Sequence, residues 1–159
     1  MRKSQSQVDD PVMSALRLPP HSIEAEQSLL GGLLIDNTVW ERVGDIVNEA
    51  DFYRDDHRRI FRQIARLIEL GKPADVVTVY EALEKNGEAE HVGGLAYLGE
   101  IANSTPSAAN VRRYGEIIRE RATLRKLISI SNEIADSAYA PEGRTGEETL
   151  DEAERLIFQ

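Results

Sequence analysis

The sequence predicts an all-α protein: a small helical lobe, then a long helix that turns back as an αα-hairpin and dimerises. Three observations carry this reading. Apolar residues recur at spacings of three and four along most of the chain, capping signals open several of those stretches, and no alternating run is long enough for a convincing strand. At 159 residues there is room for one domain with a proper core.

Residues 1–18 are polar, contain Asp10-Pro11 and lack sustained periodicity, which predicts a disordered arm. The lobe is expected over residues 19–104. Pro19-Pro20 cannot continue a helix, and Ser22 follows as an N-cap, with Glu24 and Glu26 in the first turn where the helix dipole favours negative charge. Ala25, Leu29, Leu30, Leu33 and Leu34 then form one apolar stripe. Thr38-Val39-Trp40-Glu41 and Thr78-Val79-Tyr80-Glu81 both match the capping box, and each is expected to open a helix. Between them Ile60, Phe61, Ile64, Leu67 and Ile68 line one helix face, Arg58, Arg59, Arg62 and Arg66 the other, and Gly71 with Pro73 marks the stop. Val76 to Tyr80 is β-prone in composition, but Asp75 and the capping box favour a helix start. Asn86-Gly87 ends that helix, and Leu95, Leu98, Ile101 and Ala102 form another, ending near Asn103.

Residues 105–159 are expected to form the hairpin. Thr105-Pro106 offers an N-cap before a proline at the first helical position, and only Gly115 weakens the helical pattern from there to Tyr139. A helix of about 30 residues would be about 45 Å long, too long to fit wholly inside a small globule. Val111, Tyr114, Ile117 and Ile118 centre on one direction, while Leu124, Leu127, Ile130, Ile134 and Ala138 centre on another. The first half therefore packs on the lobe and the second needs another partner. Pro141-Glu142-Gly143-Arg144 makes a turn, Thr145-Gly146-Glu147-Glu148 is a third capping box, and Leu150, Ala153, Leu156 and Ile157 line a returning helix. The apolar arc in the second half of the long helix covers about 160°, against the roughly 100° one partner requires. A two-fold contact between copies would bury the remainder with a single self-complementary surface; the alternative is that the strip folds onto the lobe.

Composition narrows the functional classes. Lys plus Arg total 19 against 28 Asp plus Glu, a formal charge of −9, so the long-range field repels phosphate backbones and disfavours DNA binding by this chain alone. With no cysteine there is no disulfide framework, thiolate zinc site or cysteine nucleophile. No apolar run approaches the roughly 18 residues that span a bilayer, and Met1-Arg2-Lys3-Ser4 leads into polar residues, which reads as cytoplasmic. The single Gly-Lys pair, Gly71-Lys72, is followed by Pro73, so a phosphate-binding loop is lacking and ATP hydrolysis by this chain is not expected. His21, His57 and His91 lack the spacing of a helical zinc site, and His57 beside Asp55 and Asp56 reads as a helix-start histidine. Glu147-Glu148 and Asp151-Glu152 read as a solvated helix face. Trp40 and Tyr114 are assigned to the core. Arg112, Arg113, Arg119, Arg121, Arg125 and Lys126, interrupted by Glu116 and Glu120, fit either structural ion pairing or an acidic partner surface or DNA contact.

Pro20-His21-Ser22-Ile23-Glu24-Ala25-Glu26, Leu30-Gly31, Asp51-Phe52-Tyr53, His57, Ile60-Phe61, Asp75-Val76-Val77-Thr78, Gly93-Gly94 and Ala109-Asn110 through Tyr114 occur in an order that resembles the amino-terminal domain of the bacterial DnaB-type replicative DNA helicase. The resemblance continues through Leu150-Asp151-Glu152-Ala153-Glu154 and Ile157-Phe158. It implies a helical lobe plus hairpin, followed in the family by a linker and a RecA-like ATPase domain that is missing from this chain. It further implies a collar built as a trimer of dimers in a hexamer, with primase, through its C-terminal domain, and some helicase loaders docking there. ATP and magnesium would bind in the absent domain, and DNA would be engaged only through the full hexamer. For hairpin and dimer packing we select Leu124, Leu127, Ile128, Ile130 and Ile134 with Leu150, Leu156 and Ile157; Arg121 and Arg125 are candidate partner contacts. The rival from another class is a free-standing adaptor without a motor, while a small helical enzyme lacks any assembly of nucleophile, base and orienting group.

Overall fold

The computed structural model describes residues 18–159. Residues 1–17, nearly all of the expected arm, lie outside the described residues. Among the described residues are seven α-helices: α1 Ile23–Ile35, α2 Trp40–Val43, α3 Asp55–Glu69, α4 Val76–Lys85, α5 Gly94–Ser104, α6 Val111–Tyr139 and α7 Gly146–Phe158. Short 3-10 turns occupy Asn37–Val39, Glu49–Asp51 and Glu90–Val92, and no strand occurs among the described residues.

Helix α1 starts as the sequence predicts, with the Ser22 hydroxyl accepting from the Ala25 N–H. It is the axis of the lobe. Ala25, Leu29, Leu30, Leu33 and Leu34 are buried, but so are Glu26, Gly31 and Gly32, so the helix is enclosed well beyond one stripe. The glycines explain how. A Cβ on Gly31 would stand 2.0 Å from Thr105 Oγ1 and 2.5 Å from the Ile101 carbonyl oxygen, and one on Gly32 would stand 2.6 Å from Val111 Cγ1. Removing two side chains lets the end of α5 and the start of α6 approach the face opposite the leucines.

Three helix starts differ from the sequence reading. Thr38 does not cap: Asp36 accepts from the Thr38 N–H, opening a 3-10 turn that leads into α2. Thr78 is the N3 partner in a capping box whose N-cap is Asp75, so α4 begins two residues before Thr78. An aspartate three residues ahead of a threonine offers the same reciprocal pair in reverse order, and it admits Val76 and Val77 to the first turn. Thr105 does not open the long helix. It closes α5, buried, with its hydroxyl donating to the Ile101 carbonyl 2.8 Å away, and α6 starts at Val111 after the intervening loop. The Thr145–Glu148 capping box forms as predicted. Trp40, assigned to the core, is half-buried: its ring packs on Phe61 at 5.6 Å and also lines an open groove of about 360 Å³ with Val47, Phe61 and Ala65. Tyr114 is likewise half-buried against the core.

A polar chain runs through the middle of this lobe. His57, on the first turn of α3, has no exposure, and its Nδ1–H donates to Glu26 Oε1 of α1 at 2.7 Å. Its Nε2 lies 2.7 Å from the Tyr97 hydroxyl of α5, which accepts in turn from Gln27 Nε2 at 3.0 Å. Burial pushes the Tyr97 phenol above its ordinary pKa, keeping it a hydroxyl. The other oxygen of Glu26 accepts from the Tyr53 N–H at 2.6 Å. Each member has a partner, the condition under which a buried polar group does not carry a desolvation penalty.

Two predictions follow from these contacts. Gly31→Ala forces backbone apart at the α1–α5 crossing and is expected to destabilise the chain by about 3 kcal/mol in urea denaturation; an unshifted midpoint would show the crossing to be compliant. His57→Leu strips the buried Glu26 carboxylate of a buried hydrogen-bond donor and is expected to cost about 3 kcal/mol by the same measurement, with a loss under about 0.5 kcal/mol counting against the network.

Candidate functional site

The long helix is attached to the lobe by close packing and by arginines. Val111, Gly115 and Ile118 are the buried residues of α6. Gly115, which weakened the helix pattern, lies against the lobe: a Cβ there would stand 3.2 Å from Val47 and 3.5 Å from Leu29. Beyond this seam Arg119 reaches the Asp51 carboxylate at 3.2 and 3.3 Å. Arg125 spans two carbonyl oxygens, Pro20 at 2.8 Å and Asp51 at 2.7 Å, and its guanidinium sits 5.5 Å from the Tyr53 ring centroid. Both ties end on the loop between α2 and α3, where α3 contributes Arg58, donating to the Phe52 and Tyr53 carbonyls, and Arg62, bonded to Glu49.

Past Arg125 the helix leaves the lobe, and the apolar arc divides. Ile130, Ile134 and Ser137 are half-buried and lie on one side of α6; Leu124, Leu127 and Ile128 lie further round and are exposed, Leu127 by 52%. On α7, Thr149, Ala153 and Leu156 are half-buried, while Leu150 and Ile157, displaced by about 100° in the same sense, are exposed, Ile157 by 55%. Half-burial on facing sides marks the seam between the two helices. In an antiparallel pair an equal rotation from the seam about each axis leads to one common face. The exposed residues of α6 and α7 therefore share a face of the hairpin, and on α6 that face points about 150° away from the direction of Val111, Gly115 and Ile118. The strip does not fold onto the lobe, and α7 buries none of its residues.

The basic set on α6 is drawn mainly into intramolecular pairs. Arg112 and Arg113 share Glu116, Arg119 takes Asp51, Arg121 lies 3.3 Å from neighbouring Glu120, and Arg125 holds backbone. Of the two arginines selected as partner contacts, Arg125 has its guanidinium committed to the lobe, whereas half-buried Arg121 is paired with the adjacent Glu120. The acidic pairs of α7 also have local roles: Glu148 completes the capping box, and the Arg155 guanidinium holds the Glu152 carboxyl below its ordinary pKa. Among the described residues, no group of three or more histidines and carboxylates is placed to hold a metal ion, and no helix is long and apolar enough to cross a membrane. The sequence reading missed the Glu26–His57–Tyr97 chain and the double-carbonyl grip of Arg125. Only the isolated buried-type pattern around His57, an ionisable residue three before Ile60-Phe61, hinted at the first.

The surface with chemistry to offer is thus an apolar hairpin face, and known proteins share the fold that presents it. The family model described as the DnaB-like helicase N terminal domain matches residues 18–120. The replicative DNA helicase DnaB of Pasteurella multocida is 44% identical over 158 residues, which are 99% of this chain and 34% of that protein. The chain spans about a third of the length of the curated relatives it matches. The crystal structure of the N-terminal domain of DnaB helicase from Mycobacterium tuberculosis superposes with a TM-score of 0.85 at 35% identity, covering 89% of this chain and 99% of that one. The N-terminal domain of DnaB helicase from Helicobacter pylori, described with its interactions with primase, has a TM-score of 0.60 at 23% identity over 72% of this chain and 89% of its own. A lobe held on an uncovered hairpin, matched over most of its length by the family model and over nearly all of it by the mycobacterial domain, places this chain in the DnaB-like helicase N-terminal domain family.

Proposed function

We propose that the chain serves as the amino-terminal collar of a hexameric replicative DNA helicase, pairing through its hairpins into dimers, three of which form the ring. The observation that carries this reading is the apolar face of Leu124, Leu127, Ile128, Leu150 and Ile157, solvent-exposed and directed away from the lobe. Apolar surface left in water is unfavourable by about 25 cal/mol per Å², and a contiguous strip rimmed by polar residues marks an association site. A second copy offers the same strip, so a two-fold axis buries both at once.

In this proposal the collar is also a docking platform for the primase C-terminal domain and for a helicase loader, acting in the cytoplasm. Arg121, half-buried and paired with Glu120, is the candidate contact on α6 that is not bonded to the lobe backbone. The Helicobacter pylori domain of the same fold, described with its interactions with primase, supports that choice of partner. DNA would be unwound by the whole ring, with ATP and magnesium bound outside the present residues. The residues here do not fit a nucleotide: the sequence lacks a phosphate-binding loop, and the described residues include no metal-holding group of three or more histidines and carboxylates.

Leu127→Asp places an unpaired charge in the centre of the proposed contact. The dimer dissociation constant measured by analytical ultracentrifugation is expected to rise by about 100-fold or more, a change of roughly 3 kcal/mol, with helicity unchanged by circular dichroism. A dimer as tight as that of the parent chain would remove the hairpin from the interface.

A further inference from the structure

We propose that Arg125 is a positioning residue that sets the angle between hairpin and lobe, and that it couples this angle to the segment entering the fold at Pro19–His21. The inference rests on intramolecular contacts and is independent of the dimer reading.

Arg119 and Arg125 lie six residues apart on α6, about 120° round the helix, and straddle the direction in which Val111, Gly115 and Ile118 face the lobe. Both end on Asp51, Arg119 on its carboxylate and Arg125 on its carbonyl. Two ties on opposite flanks resist rocking of the helix, as packing along a single seam does not. Beyond Arg125 the helix runs a further 14 residues to Tyr139, about 21 Å, with no buried residue among them. A tilt of about 10° at the clamp moves the tip by about 4 Å at that length, so small changes at Arg125 are amplified along the hairpin.

The coupling follows from what Arg125 holds. One of its two carbonyl partners is Pro20, and the Tyr53 ring beneath its guanidinium stacks on His21, with centroids 4.2 Å apart and planes 12° from parallel. His21 Nδ1 in turn lies 2.6 Å from the Pro19 carbonyl oxygen. Proline fixes φ at both residues 19 and 20, so the entering segment moves as a stiff unit. Displacing it removes the Pro20 carbonyl and disturbs the Tyr53 stack together. A guanidinium is needed because its planar fork reaches two carbonyls at once and lies over an aromatic ring, whereas an ammonium is a point donor.

The chain contains no cysteine, so Glu41→Cys on exposed α2 and Asn132→Cys on exposed α6 provide two unique sites for spin labels. Pulsed dipolar spectroscopy in an excess of unlabelled chain then reports the distance within one molecule. The parent is expected to give one narrow distribution, and Arg125→Ala to widen it at least about two-fold while circular dichroism shows helicity retained. Pro19→Gly combined with Pro20→Gly, which leaves Arg125 intact, is expected to widen it as well. A distribution as narrow as the parent's in Arg125→Ala overturns the clamp, and one in the double glycine chain overturns the coupling. If Arg125→Ala loses helicity, Arg125→Lys decides: widening supports the clamp and parental width overturns it.

Discussion

Residues 48–54, the later part of the connection between α2 and α3, bear the convergence on which the architecture depends. Asn48 and Asp51 close a capping box around its 3-10 turn, and Phe52 enters the core, where it meets Phe61 at 4.9 Å between centroids. Around that anchor, Glu26 of α1 accepts from the Tyr53 N–H, Arg58 and Arg62 of α3 bind the Phe52 carbonyl and Glu49, and Arg119 and Arg125 of α6 bind Asp51. One irregular loop thus supplies hydrogen-bond partners to three helices. Irregular backbone carries unpaired carbonyls and N–H groups, and here those groups give the arginines and the glutamate fixed points to hold. The burial of Glu26 is tolerable because its oxygens are occupied by the main-chain N–H groups of Tyr53 and Arg54 and by His57, three donors in fixed positions.

The lobe and the hairpin satisfy different constraints. In the lobe, α1 is surrounded, and Gly31 and Gly32 trade side-chain packing for backbone approach. In the hairpin, two helices can bury only the sides they turn towards each other, so a strip of leucine and isoleucine stays in water. Leu127, Ile128 and Ile157 stand outside the core of the lobe and keep about half of their surface exposed. Among the described residues no third helix lies over that strip, and this is the surface on which the proposed pairing rests.

Much of this organisation was legible locally. Ser22, the Thr145–Glu148 capping box, the glycines after α3 and α4, and the change in direction of the apolar stripe along α6 each act over a few residues, within reach of helical periodicity. The errors at Thr38, Thr78 and Thr105 share a cause: a hydroxyl or carboxylate can serve as N-cap, as N3 partner or as a bond to a carbonyl four residues back, and the sequence pattern is nearly the same for all three. Trp40 illustrates another ambiguity, since an aromatic on a helix face can line a groove as readily as fill a core.

The helices, the hairpin and the excess apolar arc are written locally in the chain, because they follow from spacings of three and four and from capping chemistry confined to one turn. Which side of the arc α7 covers, the enclosure of α1 on both its leucine and glycine faces, and the tie of Arg125 to the lobe emerge only when the chain folds. The physical reason is separation along the chain. Glu26 and His57 are 31 residues apart, Arg119 and Asp51 are 68 apart, and Arg125 reaches a carbonyl 105 residues earlier. A carbonyl has no residue identity for a pattern to read, and an arginine's partner is chosen by the path of the backbone, which exists only once the core around Leu29, Phe52 and Ile118 has closed.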